Sequence, residues 1–204
     1  MRSMDGIAWA GSAMVAARTR LEIATANLAN VSTDGFARVV AQGRMTPEGV
    51  SVLRQRDTAG HGPMRRTGRD LDLAIVGPGA FEVSSGGTRS ATRAGSFARE
   101  RDGTLSDPQG RKLLAGARAV RVPEDARIDE RGRVLDGEGA VIARIPLPAG
   151  STIRSGFLES ASVDAIHEMI DVMSAERSFE SAQKVVSSID KTREKSATDV
   201  ARVK

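Results

Sequence analysis

Apolar residues near the start of the chain fall on a seven-residue repeat. Ile7, Met14, Leu21 and Leu28 form one line, and Ala10, Ala17, Ala24 and Val31 form a second, each three residues after a member of the first. Large residues therefore face small ones along a narrow stripe, while Arg18, Arg20 and Glu22 fall outside it. That pattern predicts a long helix packed closely against another helix. Ser32, Thr33, Asp34 and Gly35 predict its end near Asn30 to Thr33. Heptad order returns near the end of the chain, with Val172, Phe179 and Val186 on one line and Ala175, Ala182 and Ile189 on the other. Ile166, Met169, Ile170 and Met173 are expected to continue this stripe toward the N-terminus with a shift of register. Ser160 or Ser162 is expected to cap the helix, with Asp164 in its first turn, and fraying is expected beyond Asp190.

Between Phe36 and about Ile153 the periodicity changes. Short β-prone runs such as Leu71–Val76, Phe81–Val83, Arg133–Leu135 and Val141–Ile145 alternate with turn signals at Gly43, Pro47 to Gly49, Gly60 to Pro63, Gly77 to Gly79, Asp102-Gly103, Asp107 to Gly110, Arg131-Gly132 and Gly137 to Gly139. The expected fold class is α+β: long N- and C-terminal helices pairing as a coiled coil around a central, mainly antiparallel β-domain. The expected division is residues 1 to 36, 37 to 153 and 154 to 204.

Composition narrows the function. The 204 residues are 40% hydrophobic and 27% charged, which suits a packed globular core. Aromatic residues make up 3%, with one Trp and no Tyr, so the stacking platforms of single-strand nucleic-acid binders are lacking. The net charge of +4 comes from 30 basic and 26 acidic residues spread along the chain, without a basic arm; nucleic-acid binding is not expected. Arg65-Arg66, the densest basic pair, reads as a turn before a strand. No run of eighteen apolar residues exists for a membrane span, and Arg2, Asp5, Gly6 and Gly11 interrupt any secretory leader, so no membrane insertion and no cleaved signal peptide are expected.

Candidate chemistry is sparse. Without cysteine there is no thiolate metal site or cysteine nucleophile. Gly77-Pro78-Gly79 lacks the third glycine of a dinucleotide loop and is read as a turn between strands. His61 and His167 have no companions at zinc or triad spacing. Asp164, Glu168 and Asp171 share one side of the C-terminal helix and are read as a solvated face. No catalytic residue, cofactor or metal ligand is assigned, and an enzyme is not expected.

Three tracts carry a family resemblance. The first comprises Ser12, Met14, Ala16, Arg18, Arg20-Leu21-Glu22, Ala24, Asn27-Leu28-Ala29-Asn30-Val31, Thr33 and Gly35-Phe36. The last comprises Gly156, Leu158-Glu159-Ser160, Val163-Asp164, Glu168-Met169, Met173, Ala175-Glu176-Arg177 and Phe179-Glu180. In the middle stand Thr67 to Ile75 and Thr92 to Phe97. Together they resemble the rod and hook proteins of the bacterial flagellar basal body, most closely the distal rod type, with the proximal β-domain-bearing type as the alternative.

The resemblance implies a non-enzymatic subunit that stacks into a helical tubular shaft. It further implies contact with copies of itself, other axial proteins and the flagellar export apparatus, and a place in the basal body reached by export. The residues expected to pack subunits are Met14, Leu21, Ala24, Asn27, Leu28, Asn30, Val31, Val163, Met169, Ile170, Met173, Phe179 and Val186, with Asn27 and Asn30 either capping locally or bridging chains. Their Ala-rich stripes bury little area in one subunit, so both helices are expected to firm up on assembly. A reading from a different class is a free-standing β-domain binding module with helical oligomerisation ends.

Overall fold

The computed structural model describes residues 6–47, 49–57 and 60–202. Both heptad tracts are helical, as α1 (Gly6–Ala29) and α2 (Ala165–Arg202). Between them run β1 (Val39–Thr46), β2 (Gly49–Arg56), β3 (Met64–Arg66), β4 (Leu73–Val76), β5 (Phe81–Ser85), β6 (Thr88–Thr92), β7 (Ala98–Arg99), β8 (Leu105–Ser106), β9 (Lys112–Ala115), β10 (Arg118–Ala119), β11 (Arg127–Ile128), β12 (Arg133–Leu135), β13 (Val141–Arg144), β14 (Thr152–Ser155) and β15 (Phe157–Glu159). All the strand pairs among the described residues are antiparallel, which makes the fold α+β. No helix among those residues is long and apolar enough to cross a membrane.

The chain forms two units. The helical unit takes in Met1–Val31, Arg38–Thr58 and Val163–Lys204; the β-rich unit takes in Ser32–Ala37 and Ala59–Ser162. The β1–β2 hairpin thus joins the helices, although the sequence reading placed it with the β-region. Its strands carry Gln42, Arg44, Arg54, Gln55 and Arg56, too polar a set to line a core, and they lie along α1 instead. Conversely, residues 154 to 162, grouped above with the C-terminal helix, belong to the β-rich unit, where β14 pairs with β4 and β15 with β3. Arg65 and Arg66 are strand residues of β3, opposite Leu158 and Phe157, and Arg65 reaches Asp34 at 3.1 Å.

One turn chemistry recurs through the β-rich unit. In Asp107–Arg111, Asp129–Arg133 and Asp136–Ala140 the first residue's N–H donates to the fifth residue's carbonyl at 2.9, 3.0 and 3.0 Å. The fourth residue, glycine each time, donates back to the first carbonyl at 2.9, 3.0 and 3.0 Å. These glycines have φ of 74°, 74° and 86°, the left-handed value that closes a type I turn with a bulge and that a Cβ disfavours. The leading aspartate also accepts from the N–H groups two and four residues on, so side chain and backbone specify the same hairpin. Glu100–Thr104 closes in the same way around Gly103.

Those hairpins wrap a core that includes Leu73, Ile75, Phe81, Val83, Leu113 and Val134, with Phe81 and Phe97 edge to face at 5.4 Å. Its polar ties are internal. The Arg93 guanidinium donates to the Ile75, Gly77 and Gly79 carbonyls at 2.7, 3.1 and 2.6 Å, fixing the Gly77-Pro78-Gly79 turn between β4 and β5. Its Nε meets the buried Glu159 carboxylate at 2.6 Å, and the Gly62 N–H donates to the same carboxylate at 3.2 Å. Two further bonds bring the unit's entry and exit together: Gly35 N–H to Glu159 O at 2.7 Å and Ser162 N–H to Phe36 O at 3.0 Å.

Because Ser162 is committed there, the cap of α2 is neither Ser160 nor Ser162 but Asp164. Its Oδ1 accepts from Ile166 N–H at 2.9 Å and His167 N–H at 3.2 Å. The helix also runs on to Arg202 instead of fraying at Asp190, consistent with the strong helix preference of Lys, Arg, Glu and Ala in that stretch.

Two predictions follow from these contacts. A Cβ on Gly95 would stand 1.6 Å from the Leu73 carbonyl oxygen, so Gly95→Ala should destabilise the β-rich unit by about 2–4 kcal/mol in a urea melt; wild-type stability would contradict this packing. The backbone bond from His167, with its side chain and the Ile166 N–H, holds the Asp164 carboxyl below the ordinary carboxylate range. Its capping contribution is therefore complete above about pH 4 and lost as pH falls through the lowered folded value. Asp164→Ala should lower helix stability by circular dichroism at pH 7, with the gap to wild type closing in strong acid.

Candidate subunit-packing surface

α1 and α2 pair antiparallel within the helical unit. Asn27 near the end of α1 meets Glu168 near the start of α2, and a Cβ on Gly6 would stand 3.6 Å from Ile189 Cδ1 at the opposite ends. On α1 the buried residues are Ala10, Ala16, Ala17, Ile23, Ala24 and Asn27. The expected Ala10-Ala17-Ala24 line is thus internal, whereas Met14, Leu21 and Leu28 are only half-buried, because the stripe is rotated toward Ala16 and Ile23. The hairpin covers part of that face. Ser12 Oγ accepts from Val50 N–H at 3.0 Å and Glu22 pairs with Arg54, so the tip of the hairpin points toward the N-terminus of α1.

On α2 the seam follows Glu168, Val172, Ala175, Phe179, Ala182, Val186 and Ile189, an unbroken three-four spacing. This corrects the expected register shift. Ile166, Met169, Ile170 and Met173 do not continue the seam; they are 70%, 53%, 57% and 52% exposed on the face turned away from α1. Four large apolar side chains at i, i+3, i+4 and i+7 form one stripe. Val15 on α1 and Met45 and Leu53 on the hairpin are exposed as well.

The seam contains one polar cluster. Asn27 is wholly buried; its Nδ2 donates to Val39 O at 2.8 Å and Glu168 Oε2 at 3.1 Å, while its Oδ1 accepts from Val39 N–H at 2.9 Å. One amide thus completes the first residue of β1 as a neighbouring strand would, and binds the opposite helix as well. Glu168, 1% exposed, also accepts from Arg38 Nε, and Arg38 reaches Asp171 at 3.0 Å. Hydrogen bonding to Glu168 raises the Arg38 pKa above its ordinary value against the opposing effect of burial, with the Glu168 and Asp171 charges adding to it. The three carboxylates therefore do not form a solvated face. Asp164 caps, Glu168 is buried in the seam, and Asp171 holds the exposed side of Arg38.

The expected packing residues separate by position. Ala24 and Asn27 are buried inside the chain; Phe179 and Val186 are half-buried along the seam; Met14, Leu21, Leu28, Val31 and Val163 are half-buried. Asn30 donates to Ala26 O at 2.8 Å, a local contact. Met169, Ile170 and Met173 are open. Sequence reasoning missed Arg38, placed Glu168 on a solvated face and set the exposed Ile166 in the seam. Glu168 stands seven residues before Ala175, on the line of Ala175, Ala182 and Ile189, and an acid on that apolar line is the signal that would have revealed it. Among the described residues no three His, Asp or Glu side chains gather as a metal site.

Three family models match in chain order: "Flagella basal body rod protein" over residues 7–36, "Flagellar hook protein FlgE/F/G D1 domain" over 74–143, and "Flagellar basal body rod FlgEFG protein C-terminal" over 154–199. The chain belongs to the flagellar basal-body rod protein family. Similar rod proteins include FlgG of Agrobacterium fabrum, 24% identical over 92% of this chain and 96% of that protein. FlgF of Caulobacter vibrioides is 28% identical over 98% of each, and FlgF of Escherichia coli 29% identical over 82% and 87%. The hook protein FlgE of Brucella abortus is 36% identical over 52% of this chain and 30% of its own length. The rod-family matches to the ends cover α1 and nearly all of α2, the two elements that carry the seam and the open stripe.

Removing Glu168 leaves the buried Asn27 amide short of an acceptor and Arg38 without its main partner. Glu168→Ala should cost about 2–3 kcal/mol in chemical denaturation, tempered by the partial exposure of Arg38, and Glu168→Gln less. An unchanged midpoint for Glu168→Ala would contradict the arrangement.

Proposed function

We propose that this chain is a structural subunit of the bacterial flagellar basal-body rod, packing with copies of itself and with neighbouring axial proteins. The observation that carries this reading is the apolar stripe of α2, Ile166, Met169, Ile170 and Met173, left open although the helix is already paired through its other face. A soluble monomer gains nothing from such a row, whereas a neighbouring helix would bury it. Half-buried Met14, Leu21 and Leu28 offer a second, different surface on α1. Contact between two unlike surfaces is heterologous, and repeated it builds an open helical stack instead of a closed ring.

Rod proteins of both FlgG and FlgF types match the chain, and a rod subunit is the role their names share. The role is mechanical and calls for no catalysis. Location in the basal body, with delivery by the flagellar export apparatus, goes with this reading. So does the β-rich unit, whose self-contained core can keep its shape while the helices engage neighbours.

The test is assembly. Wild-type protein should sediment as growing oligomers with rising concentration, and Met169→Ser/Ile170→Ser/Met173→Ser should remain a folded monomer and fail to restore swimming to a strain lacking the wild-type gene. Leu21→Asp should behave likewise. Normal swimming and unaltered oligomers for both variants would overturn the proposal.

A further inference from the structure

An antiparallel seam built from alanine, valine and a heptad repeat has a weakness: sliding one helix by seven residues again sets the alanine line of α1 against the line of Val172, Phe179 and Val186. On α1 the line Ala10, Ala17, Ala24 repeats without change, and on α2 so do Ala175 and Ala182, with Val172 and Val186 to either side of Phe179. Apolar packing in such a seam changes little between registers, because contact area is non-directional. The two polar residues within it, Asn27 and Glu168, are different. Their bond is directional, and a slip of one heptad would separate them by about 10.5 Å, far beyond hydrogen-bond reach.

We propose that Asn27 and Glu168, with Arg38, determine the register of the two helices, fixing one alignment of the chain's ends out of several that the apolar seam alone would accept. In the observed alignment both polar side chains of the cluster are satisfied. Glu168 has Asn27 and Arg38, and Asn27 fills both its donor and its acceptor on Val39 while also reaching the acid. A shifted alignment still sets small residues against larger apolar ones but separates the carboxylate from the amide, which raises its free energy without needing a clash. The observed alignment is regular along its length: Asn27 follows Gly6 by three heptads, and Glu168 precedes Ile189 by three. The same clasp positions β1, because the Val39 backbone docks on an Asn27 that is held by α2. This concerns the single chain, so it stands or falls independently of rod assembly.

The chain has no cysteine, so an introduced pair gives a clean readout. Gly6→Cys with Ile189→Cys reports the observed register, and Gly6→Cys with Ala182→Cys reports a slip of one heptad. In dilute protein under mild oxidation, the wild-type background should form the first disulfide and not the second. In Asn27→Leu/Glu168→Leu, which removes both polar partners together, helical content should persist and the yield of the second disulfide should rise at least about tenfold. Retention of the first disulfide alone in that background would overturn the proposal, as would ready formation of both in wild type. Should the double variant lose its helical content, Asn27→Ala decides the matter, since it removes the Glu168 link and the two Val39 bonds but leaves Glu168 paired with Arg38. A raised yield of the slipped disulfide supports the assignment, and an unchanged yield refutes it.

Discussion

A buried carboxylate between two helices is tolerated only when it is paired and hydrogen-bonded. Glu168 meets that condition through Asn27 and Arg38, and around this cluster the helical unit is organised. Alanines along the rest of the seam allow close approach of α1 and α2 but supply little direction. The amide of Asn27 does more than join helices: by imitating a strand edge toward Val39 it determines where the hairpin begins. One side chain therefore connects three segments that lie far apart in the sequence.

The β-rich unit solves a different problem. Its strands are mostly two to five residues long, too short to hold register by cross-strand packing, and register comes from the turns instead. Aspartate at the first position and glycine at the fourth specify the same bulged hairpin repeatedly. Arg93 then ties the turn between β4 and β5 to Glu159 on β15, so the local pieces close on one core.

Much of this is legible in the chain. The helices follow from period seven, the strands from short runs between turn signals, and the family from three ordered tracts. What period alone cannot supply is the angle of a helix about its own axis. Ile7, Met14, Leu21 and Leu28 are as regular as the alanine lines, and only the hairpin lying on α1 decides that Ile23 and Ala16 turn inward. The open stripe on α2 is hard to read from sequence for a related reason. Ile166 to Met173 resemble a seam more than Glu168 does, and hydrophobicity ranks them first, but the acid has partners inside and the four apolar residues do not. A buried acid is read correctly only with its partner, and the partners are 130 and 141 residues away.

Closing a contact across 141 residues carries a large chain-entropy cost, yet the β-rich unit removes a good part of it. When Ser162 donates to Phe36, the segments leading to α2 and from α1 are already held at 3.0 Å, and only roughly fifteen flexible residues separate Asn27 from Glu168 through that junction. The logarithmic dependence on loop length makes this reduction worth about 2 kcal/mol. Once the β-rich unit has closed, the two ends of the chain start their pairing as near neighbours, across a short effective loop.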